Sequence, residues 1–152
     1  MAFRIRAAEE KDMDDCASIV CDEFNKLGEG FTKGTAMGRV RELFDMGPDI
    51  CFCLEEDGRV IGLLFCERFK YAKGQYMWIS EFAIREGYRG KGYGGKALEF
   101  IQKAAKDKGI DVLSLFTDVK GDAVKIYGKY GFKMTDYVMM EKDLKRGPNP
   151  KA

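Results

Sequence analysis

Between Tyr76 and Lys108 the chain changes character twice. YMWISEFAI, Tyr76–Ile84, is apolar on both alternating faces and reads as a central strand. From Leu98 onward, Ile101, Gln102 and Ala105 fall on one side of a helix that runs from about Gly92 to Lys108 and ends at Gly109. The stretch between them, YRGKGYGG, carries glycine at positions 90, 92, 94 and 95. Glycine costs roughly 0.5–1 kcal/mol against alanine in regular structure, so a run of it marks a sharp turn or a close approach to the backbone. At a helix start the first N–H groups lack intrahelical partners and the dipole is positive. Arg89 and Lys91 add charge there. A strand, a glycine loop and a helix in that order form an anion cradle suited to a phosphate or pyrophosphate. Close helix–sheet packing is the alternative reason for the glycines.

The remaining elements fit around this unit. Phe3–Ala7 alternates as a strand, and Met13, Cys16, Ala17, Val20, Cys21 and Phe24 recur at helical spacing within about Glu10–Leu27. Leu27–Gly38 holds four glycines and reads as a connection. Val40, Leu43 and Phe44 suggest a short second helix stopped by Gly47-Pro48. Asp57-Gly58 between two apolar runs predicts a hairpin. A second turn is expected at Ala72–Gln75. VLSLFTD, Val112–Asp118, reads as a buried strand, Asp122–Tyr130 as a short helix, and Phe132–Lys142 as one or two closing strands. The expectation is a single α/β domain over residues 1–145 with a polar tail at 146–152. It is a mixed, mostly antiparallel sheet of about six to seven strands flanked by about four helices.

Composition removes several function classes. Charged residues are 34% of the chain, yet the net charge is only +1 and both signs are interspersed. No nucleic-acid-binding face is expected. No apolar run reaches membrane-span length, and the charged first twenty residues do not resemble a secretory leader, so a cytoplasmic location is expected. Histidine is absent, which excludes Ser-His-Asp and Cys-His catalysis and any His-containing zinc site. The five cysteines, an odd number, read as reduced core thiols, and no metal is expected.

Three phosphate ligands compete for the loop. A dinucleotide fold places its glycine fingerprint in an opening strand–helix unit, whereas this loop lies past mid-chain. Gly90, Gly95 and Lys96 match the spacing of a nucleotide-hydrolysing P-loop, but Ala97 stands where that loop needs a magnesium-binding hydroxyl. The third is coenzyme A.

Arg89-Gly90-Lys91-Gly92-Tyr93-Gly94 resembles the R/Q-x-x-G-x-G/A pyrophosphate motif of the GNAT N-acetyltransferase superfamily. AVKIYGKYGF, Ala123–Phe132, is similar to that family's A-x-x-L-Y-x-x-x-G-F segment, and SEFAI to the end of its fourth strand. Element order agrees across nearly the whole chain. Two positions depart: Glu86 stands where the family often has proline, and Lys120 where it often has asparagine.

The resemblance implies transfer of an acetyl group from acetyl-CoA to a primary amine, by direct attack in a ternary complex. Backbone amides of Gly90, Lys91, Gly92, Tyr93, Gly94 and Gly95 would hold the pyrophosphate, with Arg89 orienting the loop and Lys120 meeting a phosphate or carbonyl. Phe82, Ala83 and Ile84 would pair by backbone with the pantetheine arm, as an added strand does. Tyr127, on the family's tyrosine position, would be the general acid. Glu81, the only charged residue in its apolar strand, is the base candidate because burial raises a carboxylate's pKa. Glu67 and Tyr71 are weaker wall candidates. The acceptor, a small molecule or a peptide, would meet Leu27–Gly38 and Arg68–Gln75. The protein would be a monomer or homodimer. The competing class is a non-catalytic acyl-CoA-binding sensor of the same fold.

Overall fold

The computed structural model describes residues 2–145. Five strands and four α-helices run in the order β1 (Phe3–Ala7), α1 (Met13–Asn25), α2 (Lys33–Met46), β2 (Cys51–Glu56), β3 (Arg59–Tyr71), β4 (Gly74–Ile84), α3 (Tyr93–Asp107), β5 (Val112–Leu115) and α4 (Ala123–Lys129). The strands form one sheet in sequence order. Its first four strands are antiparallel, and β5 is parallel to β4.

Alternation along the strands supplies a core on each face. Cys51, Cys53, Leu63 and Phe65 pack against Cys16, Ile19 and Val20 of α1 and Ala36, Val40 and Leu43 of α2. Phe52, Leu54, Ile61, Leu64, Met77 and Ile79 pack against Ala97, Leu98, Ile101 and Ala105 of α3. Covered on both faces, β2 is buried at all six positions: Cys51–Leu54 as an apolar run, and Glu55 and Glu56 in ion pairs with Arg4, Arg6 and Lys91. Each fully buried Leu, Ile or Phe contributes about 1.5–3 kcal/mol. All five cysteines are free and four are buried, as a core role demands.

Local chemistry accounts for the turns. Asp57 and Gly58 have φ of 49° and 80°, the paired left-handed conformation that closes a two-residue hairpin between β2 and β3. Thr32 accepts from the Thr35 amide at 3.0 Å, and the Thr35 hydroxyl accepts from the Thr32 amide at 2.9 Å. This reciprocal cap starts α2 at Lys33, so the helix is longer than its periodicity predicts and takes in Gly34 and Gly38. The buried stripe Ala36–Val40–Leu43 offsets their low helix propensity.

The strand count differs from expectation. Five strands form among the described residues, not six or seven, because Phe132–Lys142 adopts no strand. Met134, Tyr137, Val138, Met139 and Met140 are exposed there. A strand needs a hydrogen-bonded neighbour as well as a suitable pattern. β5 is shorter than predicted and pairs with β4 over only four residues. The predicted polar tail, 146–152, lies outside the described residues.

Candidate active site

β4 is central for only part of its length. Its ladder with β3 runs from Gly74 to Ile84, whereas its ladder with β5 stops at the Ile79–Leu115 pair. Beyond it Phe116 turns outward and is exposed. Residues 80–84 therefore have a strand on one edge and none on the other, among the described residues. Every side chain from Ser80 to Ile84 is half-buried, although the strand lies inside the sheet.

A single extra residue in β4 decides which way this segment faces. Phe65 pairs with Glu81 but Cys66 pairs with Ile79, so Ser80 is bulged. Before the bulge, Met77 and Ile79 pack on the α3 side. After it, Phe82 and Ile84 pack on the α3 side and Ala83 on the α1/α2 side. The bulge inverts the parity and turns Glu81 toward α2. There Glu81 Oε1 accepts from Arg39 Nε at 3.0 Å. Ser80 Oγ donates to Glu67 Oε2 at 2.7 Å. Burial pushes the Glu81 carboxyl above the usual carboxylate range, and the Arg39 guanidinium opposes that rise.

The glycine loop leaves the end of β4 and enters α3. Gly90 and Gly92 have φ of 77° and 80°, and a Cβ on either would meet nothing within 4 Å. Their glycines serve the left-handed backbone and keep the loop surface bare. Gly92 is the residue from which α3 starts. Gly94 lies over Ile84, whose Cδ1 would stand 3.9 Å from a Cβ added to that glycine. Gly95 has a different cause: a Cβ there would stand 2.0 Å from Tyr130 Oη, so this glycine is required by packing of α3 against the end of α4. The glycines of the run thus serve different local needs, left-handed backbone at Gly90 and Gly92 and close packing at Gly95.

The basic side chains of the loop are tied to acidic partners. Arg89 donates to Glu23 Oε1 on α1 at 3.0 Å and to the Ile84 carbonyl at 3.4 Å. Lys91 reaches Glu56 Oε1 at 3.0 Å and lies 5.3 Å from the Tyr88 ring centroid. Tyr93 is buried, stacks on Phe3 at 3.9 Å and donates to Glu56. Its side chain is thereby an anchor for the helix start, leaving its backbone to the loop. Lys96 sits over the Phe3 ring. Lys120 is exposed, and its amide donates to Asp118 Oδ1 at 2.9 Å.

Tyr127 projects from α4 onto the α3-side core, edge-on to Phe132 at 5.7 Å. Burial raises its pKa, so the phenol stays protonated at neutral pH. Glu81 and Tyr127 thus come to the sheet from opposite faces. Glu67 lies beside Ser80, and Tyr71 is exposed against Tyr76 at the β3–β4 turn. Arg39, Glu23 and Glu56 carry no sequence signal for these contacts. GRVRELFD offers Arg39 and Arg41 on equal terms, and only α2's docking turns Arg39 to β4 while Arg41 pairs with Glu10.

Comparison with known proteins bears on this geometry. Residues 17–132 match the model of the acetyltransferase (GNAT) family. An uncharacterized N-acetyltransferase, YycN of Bacillus subtilis (strain 168), is 37% identical over 84 residues, which is 55% of this chain and 54% of that protein. The match thus spans about half the length of that relative. A possible acetyltransferase from Clostridium difficile 630 has a similar structure, with TM-score 0.80 and 18% identity over 95% of this chain and 99% of that one. A predicted acetyltransferase from Clostridium acetobutylicum, solved with acetyl-CoA, has TM-score 0.75 and 20% identity over 95% and 98% of the two chains. The family match covers the strand, glycine loop and helix together with Tyr127 and Phe132, and the chain belongs to the GNAT acetyltransferase family.

Proposed function

We propose that this protein transfers an acetyl group from acetyl-CoA to a primary amine by direct attack in a ternary complex. One observation carries the reading: the edge of β4 at residues 80–84, without a strand partner among the described residues, leads through one turn at Glu86–Tyr88 into the glycine loop that starts α3. An extended amide-bearing arm fits the edge as a strand would, and its pyrophosphate fits the helix start. Phe82, Ala83 and Ile84 are assigned to the arm, and the backbone from Gly90 to Gly95 to the pyrophosphate. Arg89 holds the loop to α1 through Glu23, and Lys120 is assigned to a phosphate or carbonyl of the cofactor.

The chemistry needs a neutral amine, a stabilised oxyanion and a protonated leaving group. Glu81 takes the amine proton, directly or through water, because its buried carboxyl is a stronger base than an exposed one. The amine nitrogen bonds to the thioester carbon, and a backbone N–H near Ile84 stabilises the oxygen. As the carbon–sulfur bond breaks, Tyr127 gives its phenolic proton to the sulfur. No group of three or more Cys, Asp or Glu among the described residues is placed to hold a metal ion. No helix among them is long and apolar enough to cross a membrane.

Calorimetric titration with acetyl-CoA, against magnesium-ATP as control, tests the ligand. Thiol release is then followed with polyamines, aminoglycosides, amino-acid amides, and peptides bearing a lysine or a free N-terminus. Binding of acetyl-CoA alone, with amine-dependent thiol release, is expected. Binding without release from any amine would favour the sensor, and a preference for ATP would overturn the loop assignment.

A further inference from the structure

Arg39 joins three carboxylates. From α2 it reaches Glu81 Oε1 through Nε at 3.0 Å and Glu42 Oε2 through Nη1 at 3.2 Å, and its Nη2 lies 3.8 Å from Glu67 Oε2. Glu29, from the α1–α2 connection, adds a further negative charge that acts on Glu81. The charged groups acting on Glu81 are thus Arg39 from α2, Glu67 from β3 and Glu29 from the connection, with Glu42 of α2 bound to the same guanidinium. Its side chain is only 14% exposed. A carboxylate so buried, with acidic neighbours and no cation, would hold its proton and be useless as a base at neutral pH. Arg39 supplies the cation, and it contacts only one of the two oxygens. Oε2 takes no donor among the described residues.

We propose that Arg39 is a positioning residue for acetyl transfer: it anchors Oε1 of Glu81, keeps the carboxylate ionised, and leaves Oε2 to accept the amine proton. The inference rests on Glu81 being the base. Arg39 contacts Glu42 and Glu67 through its other two nitrogens, which fixes the plane of the guanidinium and hence the direction of the Nε–H bond. The device spans two elements. α2 carries the arginine, the Ser80 bulge carries the glutamate to the same face, and neither acts without the other.

The test uses the full chain with glutamate side chains labelled at the carboxyl carbon. Glu81→Gln identifies the Glu81 resonance, whose titration is followed by NMR in wild type, Arg39→Gln and Arg39→Lys. The Glu81 midpoint is expected to move upward in R39Q and to return toward wild type in R39K, which restores the charge. Turnover with the fastest amine from the thiol-release panel should fall about tenfold in R39Q at neutral pH, part of the roughly 10²–10⁴ that a positioned base contributes. It should recover as pH rises past the new midpoint. A Glu81 midpoint that is the same in wild type and R39Q overturns the proposal, as does a loss of turnover equal at every pH. Wild-type turnover in Glu81→Gln, alongside an upward Glu81 midpoint in Arg39→Gln, would instead remove Glu81 as the base and the proposal with it. If R39Q does not fold, Arg39→Met, which keeps the packing of the stem, gives the same comparison.

Discussion

Replacing Gly95 by alanine isolates the packing share of the glycine run. The added Cβ would lie 2.0 Å from Tyr130 Oη, 2.9 Å from Cζ and 3.6 Å from Cε2. Ordinary carbon contacts are about 3.5–4.0 Å, so the hydroxyl must retreat by roughly 1.5 Å. The Tyr130 ring packs on the α3-side core, and its carbonyl accepts from Gln102 Nε2 at 2.7 Å, so the residue is held at both ends. Overpacking of this kind costs about 1–3 kcal/mol, against a gain of up to about 1 kcal/mol for alanine over glycine in a helix. The expected net loss is about 1–2 kcal/mol. In a Tyr130→Leu background the collision is gone and only the helix gain remains, so the same substitution should become neutral or stabilising. Urea unfolding of the four proteins, followed by the fluorescence of Trp78 and by circular dichroism, gives the cycle, with a coupling of about 2 kcal/mol expected. An equal cost in both backgrounds would refute the packing account. If acetyl-CoA affinity fell with G95A and stayed low in the Tyr130→Leu background, the missing side chain at Gly95 would serve the ligand's approach and not the packing of Tyr130.

Other substitutions probe the loop, the acid and the stability of the α1 end. Gly92→Ala should cost about 1–2 kcal/mol in either background at position 130, because the strain lies in its φ of 80° and not in any neighbour; unfolding in the same urea series measures it. Tyr127→Phe should lower turnover by about 10²-fold and leave the calorimetric affinity for acetyl-CoA nearly unchanged; equal turnover would remove Tyr127 as the acid. Asp12 is held by Arg6 at 2.7 and 2.9 Å and by the Glu9 amide at 2.7 Å, which keeps its carboxyl below the usual range. Its folded pKa is depressed, so its contribution is present above the ordinary carboxylate pKa and lost as pH falls through the folded value. Asp12→Asn should cost about 3 kcal/mol at neutral pH and should flatten the acid limb of stability in thermal melts taken from about pH 6 downward.

The order and type of the elements were legible because each rests on local chemistry. Asp57-Gly58 closes a hairpin whatever surrounds it, since both residues tolerate left-handed backbone. The stripe Leu98–Ile101–Ala105 declares a helix and its buried face. Gly90 and Gly92, placed between strand and helix, mark the left-handed turn and the bare loop surface. The absence of histidine leaves Glu, Asp, Tyr, Lys, Cys or water for any proton transfer. What local pattern misjudged was pairing. Phe132–Lys142 has apolar content enough for a strand, but a strand exists only where a neighbour accepts its hydrogen bonds, and that is a property of the assembled sheet.

The face to which Glu81 points was likewise decided by tertiary structure. Strict alternation from Met77 and Ile79 would send Glu81 to the α3 side. The Ser80 bulge, visible only in the register of β4 against β3, sends it to α2 and Arg39 instead. In the same way, sequence marked Gly95 as one of a run, and only the approach of Tyr130 distinguishes its purpose from that of Gly92. Propensity, turn chemistry and periodicity act over a few residues and can be read along the chain. Register, parity and the partner of a long side chain depend on segments tens of residues apart, and are fixed only when those segments pack.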